Sequence, residues 1–411
     1  MKKEIVEILE KYSQDHILKY LPYLTQEEQE ALEKQISQID FEQLKRLYAT
    51  TKEEPYIEEK VIEHIPYTDK SKLLEGRRKE LEEIGKKVIC SGKYAVITMA
   101  GGQGTRLGHK GPKGTYCLNT NQGPKYIFEI IIDTLKKAQT EYGVTIPWYI
   151  MTSRENHQDT ISFLEEKKYF GYDKTKVKFF KQGELPLLDT EGKVILDKDK
   201  KIKEAADGNG GIYEAMVQNG ILEDLKNQQI DWIFISGIDN ILSNFVDPLL
   251  VGLTIYEDRK IASKSVAKTN PKEKVGVFCK MNGKPKVIEY IELPEEMAEE
   301  RDENGELVYG EVNIVTHLFH RSILENLADV KLPYHVAFKK SGYLDEKGEY
   351  IEPEEPNVYK FEAFIFDAFT RYEDMTILRV KREEEFAPVK NRTGNDSPET
   401  ATALYNAKYL D

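Results

Sequence analysis

Cysteine is scarce in this chain of 411 residues. Its three cysteines, Cys90, Cys117 and Cys279, lie far apart in the sequence, and no two of them form a CxxC pair. This pattern excludes a disulfide framework and a cysteine-based zinc site. We expect three buried thiols instead.

Long hydrophobic runs are missing as well. No stretch approaches the roughly 20 consecutive apolar residues that a membrane helix needs. In the opening stretch, MKKEIVEILEKYSQDH, carboxylates interrupt the apolar pairs, so no apolar core of a signal peptide is present. We therefore expect a soluble, cytoplasmic protein without a membrane partner.

The sequence also lacks an excess of positive charge. It has 72 Asp and Glu against 59 Lys and Arg, which gives a formal net charge of -13. Binding to a nucleic acid depends mainly on clustered Lys and Arg, so a nucleic-acid partner is not expected. A small phosphorylated ligand remains compatible with this charge, provided that basic groups are concentrated in one place.

The chain length predicts two or three domains. Up to about residue 90, apolar and charged residues alternate at helical spacing, with a capping box at Thr25 and Glu28 and a charged helix over 72–89. From Tyr94 onwards, short apolar runs alternate with helical segments such as 126–139, which predicts an α/β core with a mostly parallel sheet covered on both faces. The predicted strands of this sheet are 94–100, 147–153, 177–182, 231–239 and 259–266.

One glycine-rich stretch, ITMAGGQGTRLGHKGPKGTY (97–116), directly follows a predicted strand. The dinucleotide pattern GxGxxG fails because Leu107 stands where the third glycine is needed, and the Walker A pattern fails because Pro112 precedes Lys113. The loop still offers Gly101 and Gly102 for close approach of the backbone to a ligand. With Arg106 and Lys113 it is suited to the phosphates of a nucleoside triphosphate.

Three other features have both a functional and a plain structural interpretation. Asp239, at the end of the run WIFISGID, suits Mg²⁺ beside a triphosphate, although such residues often cap helices or turns. Asn209, with glycines around it in ADGNGG, is placed to read the polar edge of a base, or simply to form a turn before a helix. His317 and His320 have a metal-like spacing without a third ligand, so we expect core or partly exposed histidines.

A larger set of motifs then resembles one family. MAGGQGTRLG, PKGTY, WYIMTS, FFKQGELP, DGNGG, DNIL, KTNPKEKVGVFC, VIEY, FEAFIFDAF and REEEFAPVKN occur in the order of the UDP-N-acetylhexosamine pyrophosphorylases, within the wider UDP-sugar pyrophosphorylases. The resemblance runs from about Lys93 to the carboxyl terminus. It implies a glycosyltransferase-A-like, Rossmann-type nucleotidyltransferase core with a mixed, mostly parallel sheet. It also implies flanking domains, which we place as a helical amino-terminal domain over 1–90, the core over 91–370 and a small carboxy-terminal segment over 371–411.

The implied reaction joins UTP and a sugar 1-phosphate into a UDP-sugar and pyrophosphate, with Mg²⁺ as cofactor. N-acetylglucosamine 1-phosphate is the sugar phosphate that the resemblance favours. It leaves the oligomeric state open, with a monomer as one option. The residue roles that it implies are as follows: Ala100, Gly101 and Gly102 line the uridine; Gln182, Gly208 and Asn209 read the uracil and its surroundings; Arg106, Lys113 and Lys390 face the phosphates; Asp239 holds the metal; and Glu289, Asn313, Phe364 and Phe366 shape the sugar pocket.

The sequence departs from the family at one position of that pocket. The asparagine commonly follows a glycine in the family, whereas Val312 precedes Asn313 here. We expect the added side chain to reshape the space near the C2 group of the sugar and to relax specificity, since a small group in a pocket is often worth only ~1–3 kcal/mol. Three rivals remain open: an enzyme for glucose or galactose 1-phosphate, a glycosyltransferase of the same fold, and a non-catalytic regulator that binds a UDP-sugar.

Overall fold

The computed structural model describes residues 1–52 and 61–409. Within these ranges the α-helices are α1 Lys3–Lys11, α2 Gln26–Gln38, α3 Phe41–Thr50, α4 Glu75–Cys90, α5 Ile127–Tyr142, α6 His157–Glu166, α7 Ile212–Gln218, α8 Ile221–Asn227, α9 Pro248–Tyr256, α10 Glu295–Glu299, α11 Arg321–Leu327, α12 Arg382–Glu385 and α13 Pro398–Lys408. No described helix is both long enough and apolar enough to cross a membrane.

The strands in the same ranges are β1 Ile62–Glu63, β2 Thr68–Asp69, β3 Tyr94–Met99, β4 Cys117–Thr120, β5 Gly123–Tyr126, β6 Trp148–Thr152, β7 Val177–Lys181, β8 Glu184–Pro186, β9 Leu188–Asp189, β10 Glu204–Ala206, β11 Trp232–Gly237, β12 Ile261–Ala267, β13 Val277–Met281, β14 Lys284–Ile288, β15 Glu311–His320, β16 His335–Lys339, β17 Tyr343–Leu344, β18 Tyr350–Ile351, β19 Val358–Glu362 and β20 Thr376–Arg379. All five predicted strands are present, as β3, β6, β7, β11 and β12.

The chain divides into two compact units. The first contains Met1–Glu59, Gly183–Gly211 and Leu332–Ile365, and the second contains Lys60–Gln182, Ile212–Lys331 and Phe366–Asp411. This division differs from the predicted succession 1–90, 91–370 and 371–411. The physical reason is packing: apolar residues of α1 to α3 share a core with Leu188, Leu196 and Phe361, whereas α4 belongs to the second unit.

The second unit is built on an eleven-stranded sheet. Eight of its strands follow the order β2-β20-β12-β15-β11-β3-β6-β7, and β1, β13 and β14 branch from this path. Only β15 runs antiparallel to its neighbours along the eight-strand path, so the sheet is mixed and mostly parallel, as predicted. Strands β3 and β6 are buried along their whole length, because helices cover both faces of such a sheet.

Helices α4 and α9 approach each other closely through two glycines. A Cβ atom on Gly85 would lie 1.9 Å from the carbonyl oxygen of Pro248, and one on Gly252 would lie 1.8 Å from the carbonyl oxygen of Leu81. These distances are far below any real carbon–oxygen contact, so only glycine fits at either position. The contact fixes α4 on α9 and thereby joins it to the sheet unit.

A buried charged cluster anchors the carboxy-terminal segment of the second unit. The Lys264 side chain is 0% exposed, and its Nζ lies 2.6 Å from Asp247 and 2.5 Å from Glu385. Burial alone would lower the pKa of Lys264, but the two carboxylates outweigh this effect and hold the pKa above its ordinary value. Lys70 contacts Glu385 from the other side at 3.1 Å. The cluster therefore ties β12, the start of α9 and the end of α12 together.

The cysteine prediction was wrong for two of the three residues. Cys279 is buried, but Cys90 and Cys117 are exposed. Cys90 is the last residue of α4, and Cys117 lies on β4, a strand that pairs only with β5 outside the main sheet. Short apolar runs in the sequence do not reveal which end of a helix or which small hairpin faces solvent.

We predict that Gly252→Ala destabilises the protein, because the new methyl group meets the carbonyl oxygen of Leu81. Overpacking of this kind costs about 1–3 kcal/mol in the free energy of unfolding. Gly76→Ala on α4 is the matched control, since no heavy atom lies within 4 Å of the added Cβ. Urea unfolding of both variants measures the difference; equal unfolding midpoints would contradict the close helix contact.

Candidate active site

Several predicted site residues follow the carboxyl ends of parallel strands in the second unit. Ala100, Gly101 and Gly102 follow β3, Gln182 follows β7, and Asp239 follows β11. Because β11, β3, β6 and β7 are parallel, these ends meet at one edge of the sheet. Ligands of open α/β sheets bind at that edge.

The start of the glycine loop packs beneath the side chain of Gln182. The Ala100 N–H donates to the carbonyl of Met151 at 2.7 Å, and the Gln182 N–H donates to the carbonyl of Thr152 at 2.8 Å. A Cβ on Gly101 would lie 2.4 Å from Gln182 Oε1, whereas nothing lies within 4 Å of a Cβ on Gly102. Gly101 therefore leaves room for the end of the Gln182 side chain, and Gly102 leaves open space where a ligand can approach the backbone.

The rest of the loop folds back so that Lys113 returns to its beginning. The Gly104 N–H donates to the carbonyl of Gly111 at 3.0 Å, and the Lys113 N–H donates to the carbonyl of Gly102 at 3.1 Å. Gly114 then packs on the ring of Phe128, where a Cβ would lie only 2.2 Å from a ring carbon. These contacts give the loop a defined conformation despite its glycine content.

Lys113 and Asp239 form an ion pair at the sheet edge. Lys113 Nζ lies 2.8 Å from Asp239 Oδ1, with the lysine side chain 13% exposed and the aspartate side chain 38% exposed. The two residues are 126 positions apart in the sequence, so the fold brings them together. The pair therefore lies at the edge of the sheet where ligands of open α/β sheets bind.

Lys390 reaches this edge through the segment that follows α12. The Val389 N–H donates to the carbonyl of Asp239 at 2.9 Å, and Asn240 forms a β-bridge with Pro388. Lys390 and Arg106 are both exposed, and neither forms an ion pair with a described residue. The site thus has two cations available for an anionic ligand beside the Lys113–Asp239 pair.

Arg392 is a candidate that the sequence reasoning missed. Its guanidinium carbon lies 3.7 Å from the position of a Cβ on Gly108, so the arginine contacts the glycine loop. The available signal was its place two residues after Lys390, in the basic stretch KNR. The sequence does not show that the carboxy-terminal segment returns to the glycine loop, and this return is what brings the Arg392 cation to it.

Two residues assigned to the sugar pocket, Glu289 and Asn313, both lie next to Gly276. The Asn313 N–H donates to the carbonyl of Gly276 at 2.9 Å, and a Cβ on Gly276 would lie 2.9 Å from Glu289 Oε1. Strand β15 has an irregular register here, and Val315 adopts a φ of 53°, which is costly for a β-branched residue. Its N–H donates to Asn313 Oδ1 at 2.9 Å and so fixes the orientation of the amide.

The expected effect of Val312 on the sugar pocket was wrong. Val312 is fully buried in the hydrophobic core of the second unit and pairs with Val266 and Val277 on neighbouring strands. Successive side chains of a strand point to opposite faces, so the valine lies on the face opposite Asn313. It does not narrow the space around the asparagine.

The remaining predicted residues divide between the units. Gly208, Asn209 and Phe364 lie in the first unit, where Asn209 Oδ1 accepts the N–H of Ile365 at 2.9 Å and a Cβ on Gly208 would lie 2.2 Å from the carbonyl oxygen of Ala363. The ring of Phe364 packs on the ring of His335, with 4.7 Å between the ring centroids. Phe366 is buried and belongs to the second unit.

The histidines are structural, as predicted. His317 is fully buried and its Nδ1 lies 2.7 Å from the hydroxyl of Ser263, and burial lowers its pKa to about 3. His320 caps α11 by accepting the N–H of Ser322. Residues 1–52 and 61–409 contain no group of three or more His, Cys, Asp or Glu side chains suited to a metal ion.

Comparison with known proteins agrees with this geometry. The family model described as UTP–glucose-1-phosphate uridylyltransferase matches residues 39–397. The chain is 38% identical to the human UDP-N-acetylhexosamine pyrophosphorylase-like protein 1, over 79% of this chain and 66% of that protein. It is 39% identical to the UDP-N-acetylglucosamine pyrophosphorylase of Saccharomyces cerevisiae, over 84% of this chain and 75% of that protein.

A solved structure gives the same result. The uridine diphosphate N-acetylglucosamine pyrophosphorylase from Trypanosoma brucei, determined in complex with an inhibitor, superposes with a TM-score of 0.81 at 30% identity, covering 97% of this chain and 83% of that one. The sheet and the loops at its edge are thus those of a nucleotidyltransferase. More specifically, the chain belongs to the UTP–glucose-1-phosphate uridylyltransferase family, and the relatives above are its N-acetylhexosamine pyrophosphorylase members.

We predict that Gly101→Ala weakens nucleotide binding without unfolding the protein. The new methyl group displaces the end of the Gln182 side chain, which is flexible, rather than backbone. We expect the loss of one hydrogen bond from this buried amide to raise the dissociation constant for UTP roughly tenfold. Titration calorimetry measures this constant. Gly114→Ala is the contrasting control, since its Cβ meets the Phe128 ring and should lower the melting temperature instead.

A double variant tests the cause of this loss. If Gly101→Ala acts by displacing Gln182, then Gly101→Ala combined with Gln182→Ala binds UTP no more weakly than Gln182→Ala alone. Additive losses in the double variant would contradict this explanation.

Proposed function

We propose that this chain transfers a uridylyl group from UTP to N-acetylglucosamine 1-phosphate and releases pyrophosphate. The observation that carries the proposal is the ion pair of Lys113 and Asp239 at the sheet edge. Arg106 lies in the same loop as Lys113, and Lys390 follows Val389, whose N–H donates to the carbonyl of Asp239; neither cation pairs with a described carboxylate. UTP and the sugar phosphate together bring many negative charges to this place. A site of this kind binds them without a complementary excess of charge on the whole protein.

The reaction needs no general base from the protein. An ionised phosphate oxygen of the sugar phosphate attacks the α-phosphorus of UTP, and the bond from that phosphorus to the bridging oxygen of the β-phosphate breaks. The pair of electrons leaves with pyrophosphate, and no proton has to be removed from the nucleophile. The protein contributes by holding both reactants in line and by stabilising the charge that moves to the leaving group.

The site residues divide this work. The backbone around Gly102 and the amide of Gln182 are placed to hold the nucleoside. Arg106 and Lys390 are placed to stabilise the negative charge of the phosphates, which grows on the leaving pyrophosphate. Half-buried Glu289 and the oriented amide of Asn313 are placed to bind sugar hydroxyls and the N-acetyl group.

Mg²⁺ fits the residues that are present. A magnesium ion keeps several waters and takes one or two carboxylates together with phosphate oxygens, which one partly exposed aspartate satisfies. Asp239 would hold it, and the bound ion would supply charge stabilisation to the phosphates. Lys113 is placed to balance the Asp239 carboxylate and to contact the same phosphates.

The choice of sugar rests on two observations. The relative at 39% identity is named a UDP-N-acetylglucosamine pyrophosphorylase, and the relative at 38% identity is named a UDP-N-acetylhexosamine pyrophosphorylase-like protein. In addition, Val312 does not occupy the face of β15 that carries Asn313. Glucose 1-phosphate is the second candidate, because the matching family model is named for that substrate. The cytoplasmic location stays a prediction from the sequence, and the oligomeric state stays open.

The sugar is tested by pyrophosphate release from UTP and Mg²⁺ with four sugar 1-phosphates in parallel: N-acetylglucosamine, N-acetylgalactosamine, glucose and galactose. We expect the highest kcat/KM with N-acetylglucosamine 1-phosphate. A higher value with glucose 1-phosphate would contradict the sugar assignment and leave uridylyl transfer intact. No release with any sugar, together with binding of UDP-sugar, would favour a glycosyltransferase or a non-catalytic regulator.

The phosphate-binding cations are tested by Lys113→Ala and Arg106→Ala. Removing a group that stabilises transition-state charge typically lowers kcat by about 10²–10³-fold, and we expect this from both variants. Lys110→Ala is the matched control, an exposed lysine of the same loop that pairs with no described carboxylate. Circular dichroism confirms that each variant is folded; near-normal turnover in either Lys113→Ala or Arg106→Ala would exclude that residue from catalysis.

A further inference from the structure

Two buried asparagines stand directly behind the site, and neither belongs to the predicted set. Asn156 follows β6 and is 0% exposed, and Asn240 follows Asp239 and is 6% exposed. A buried amide has both an acceptor and two donors to satisfy, so its partners show what it holds in place. In both cases these partners are backbone groups of the site segments.

Asn156 connects the glycine loop to the turn before α6. Its Oδ1 accepts the N–H of Ser153 at 2.9 Å, and its Nδ2 donates to the carbonyl oxygen of Ala100 at 2.9 Å. A longer contact of 3.4 Å reaches the carbonyl oxygen of Gly102. Two of the three residues assigned to the uridine are therefore held by one side chain.

Asn240 makes the same kind of connection on the other side of the site. Its Oδ1 accepts the N–H of Ala387 at 2.9 Å, and its Nδ2 donates to the carbonyl oxygen of Glu385 at 2.7 Å. The segment 385–389 leads directly to Lys390. Asn240, the residue after the metal-binding candidate Asp239, thus fixes the segment that leads to Lys390.

We propose that Asn156 and Asn240 are positioning residues for uridylyl transfer, with Asn156 fixing the nucleotide loop and Asn240 fixing Lys390 against Asp239. This inference rests on the proposed function. Glycine allows a loop many alternative backbone conformations, and the Lys390 side chain is exposed, so the backbone that positions each of them needs a rigid support. Asn156 supplies this support by accepting from the turn before α6 and donating to the glycine loop. Asn240, on the segment after β11, supplies it by accepting from and donating to the segment 385–389.

Aspartate is the substitution that isolates this role. It has nearly the same size as asparagine and retains the oxygen that accepts the N–H of Ser153 or of Ala387. It replaces the donor with an oxygen that faces a carbonyl oxygen at a distance of 2.7–2.9 Å. The Asn156 side chain makes no capping hydrogen bond to α6, so Asn156→Asp removes no helix cap.

A matched control lies in the first unit. Asn357 Oδ1 accepts the N–H of Ser341 at 2.8 Å, and its Nδ2 donates to the carbonyl oxygen of Ser341 at 2.9 Å. Asn357→Asp therefore removes the same type of backbone contact, at a place to which no site role is assigned. Asn357 is half-buried, so this variant controls for the loss of the amide contacts, and the melting temperatures report the added cost of a buried aspartate at the other two positions.

The three variants are compared by the dissociation constant for UTP, by KM and kcat for pyrophosphate release, and by melting temperature. We expect Asn156→Asp to raise the dissociation constant and KM for UTP by about tenfold or more with a smaller change in kcat. We expect Asn240→Asp to lower kcat by about tenfold or more while the dissociation constant for UTP changes little. Asn357→Asp should leave all of these constants within twofold.

The proposal is overturned if Asn156→Asp and Asn240→Asp change only the melting temperature, as a purely structural asparagine would. It is also overturned if both variants alter UTP binding and kcat in the same proportion, because the two roles would then not be separate. If an aspartate variant does not fold, the corresponding serine variant is measured. Serine retains a polar group but is too short to reach both backbone partners of the asparagine. Absence of pyrophosphate release from the unmodified protein would refute the proposed function, while the UTP dissociation constants would still test Asn156.

Discussion

The parallel pairing of β3 with β11 is the constraint on which the site depends. The two strands are in register from Tyr94 with Trp232 to Met99 with Gly237, and the Ile238 N–H continues the ladder by donating to the carbonyl of Met99 at 3.1 Å. The glycine loop and Asp239 therefore start from adjacent points. A shift by one residue would turn the buried side chains of either strand to the opposite face, so the hydrophobic core fixes the register and with it the ion pair of Lys113 and Asp239.

The carboxy-terminal segment completes this arrangement from a distant part of the sequence. Glu385 contacts Lys264 and Lys70 in the buried charged cluster, and its carbonyl oxygen accepts a hydrogen bond from Asn240. Breaking a buried ion pair by removing one partner is costly, so the cluster resists separation of its members. Lys390 is thus positioned in part by a buried charged cluster that contains none of the predicted site residues.

Much of this arrangement follows from the sequence, because a strand end is visible as the end of an apolar run. The positions of Ala100 to Gly102, Gln182 and Asp239 at one sheet edge needed only the predicted strands and the rule for parallel sheets. The insertion of antiparallel β15 between β11 and β12 was not predictable, since the order of strands in a sheet is not encoded in the spacing of apolar residues. Asn156, Asn240 and Arg392 were missed because their partners are backbone atoms or loops far away in the sequence.

The way in which separate parts of the chain form two compact units could not be predicted from the sequence either. Helices α1 to α3 show their apolar faces clearly, but nothing in their periodicity reveals that residues 183–211 and 332–365 share that core. The face of Val312 was misjudged for a related reason. A comparison of motifs shows which residue precedes Asn313, whereas the direction of its side chain depends on the strand that contains both.

We infer that the sugar phosphate displaces pyrophosphate in one step and that the protein contributes only positioning and charge. The stereochemical course at the α-phosphorus tests this most directly, with UTP that carries sulfur at that phosphorus in one known configuration. A single in-line displacement inverts the configuration in the UDP-sugar product, and this is the result that we predict. Retention would require two successive displacements through a covalent uridylyl–protein intermediate, and would contradict the claim that no side chain acts as a nucleophile.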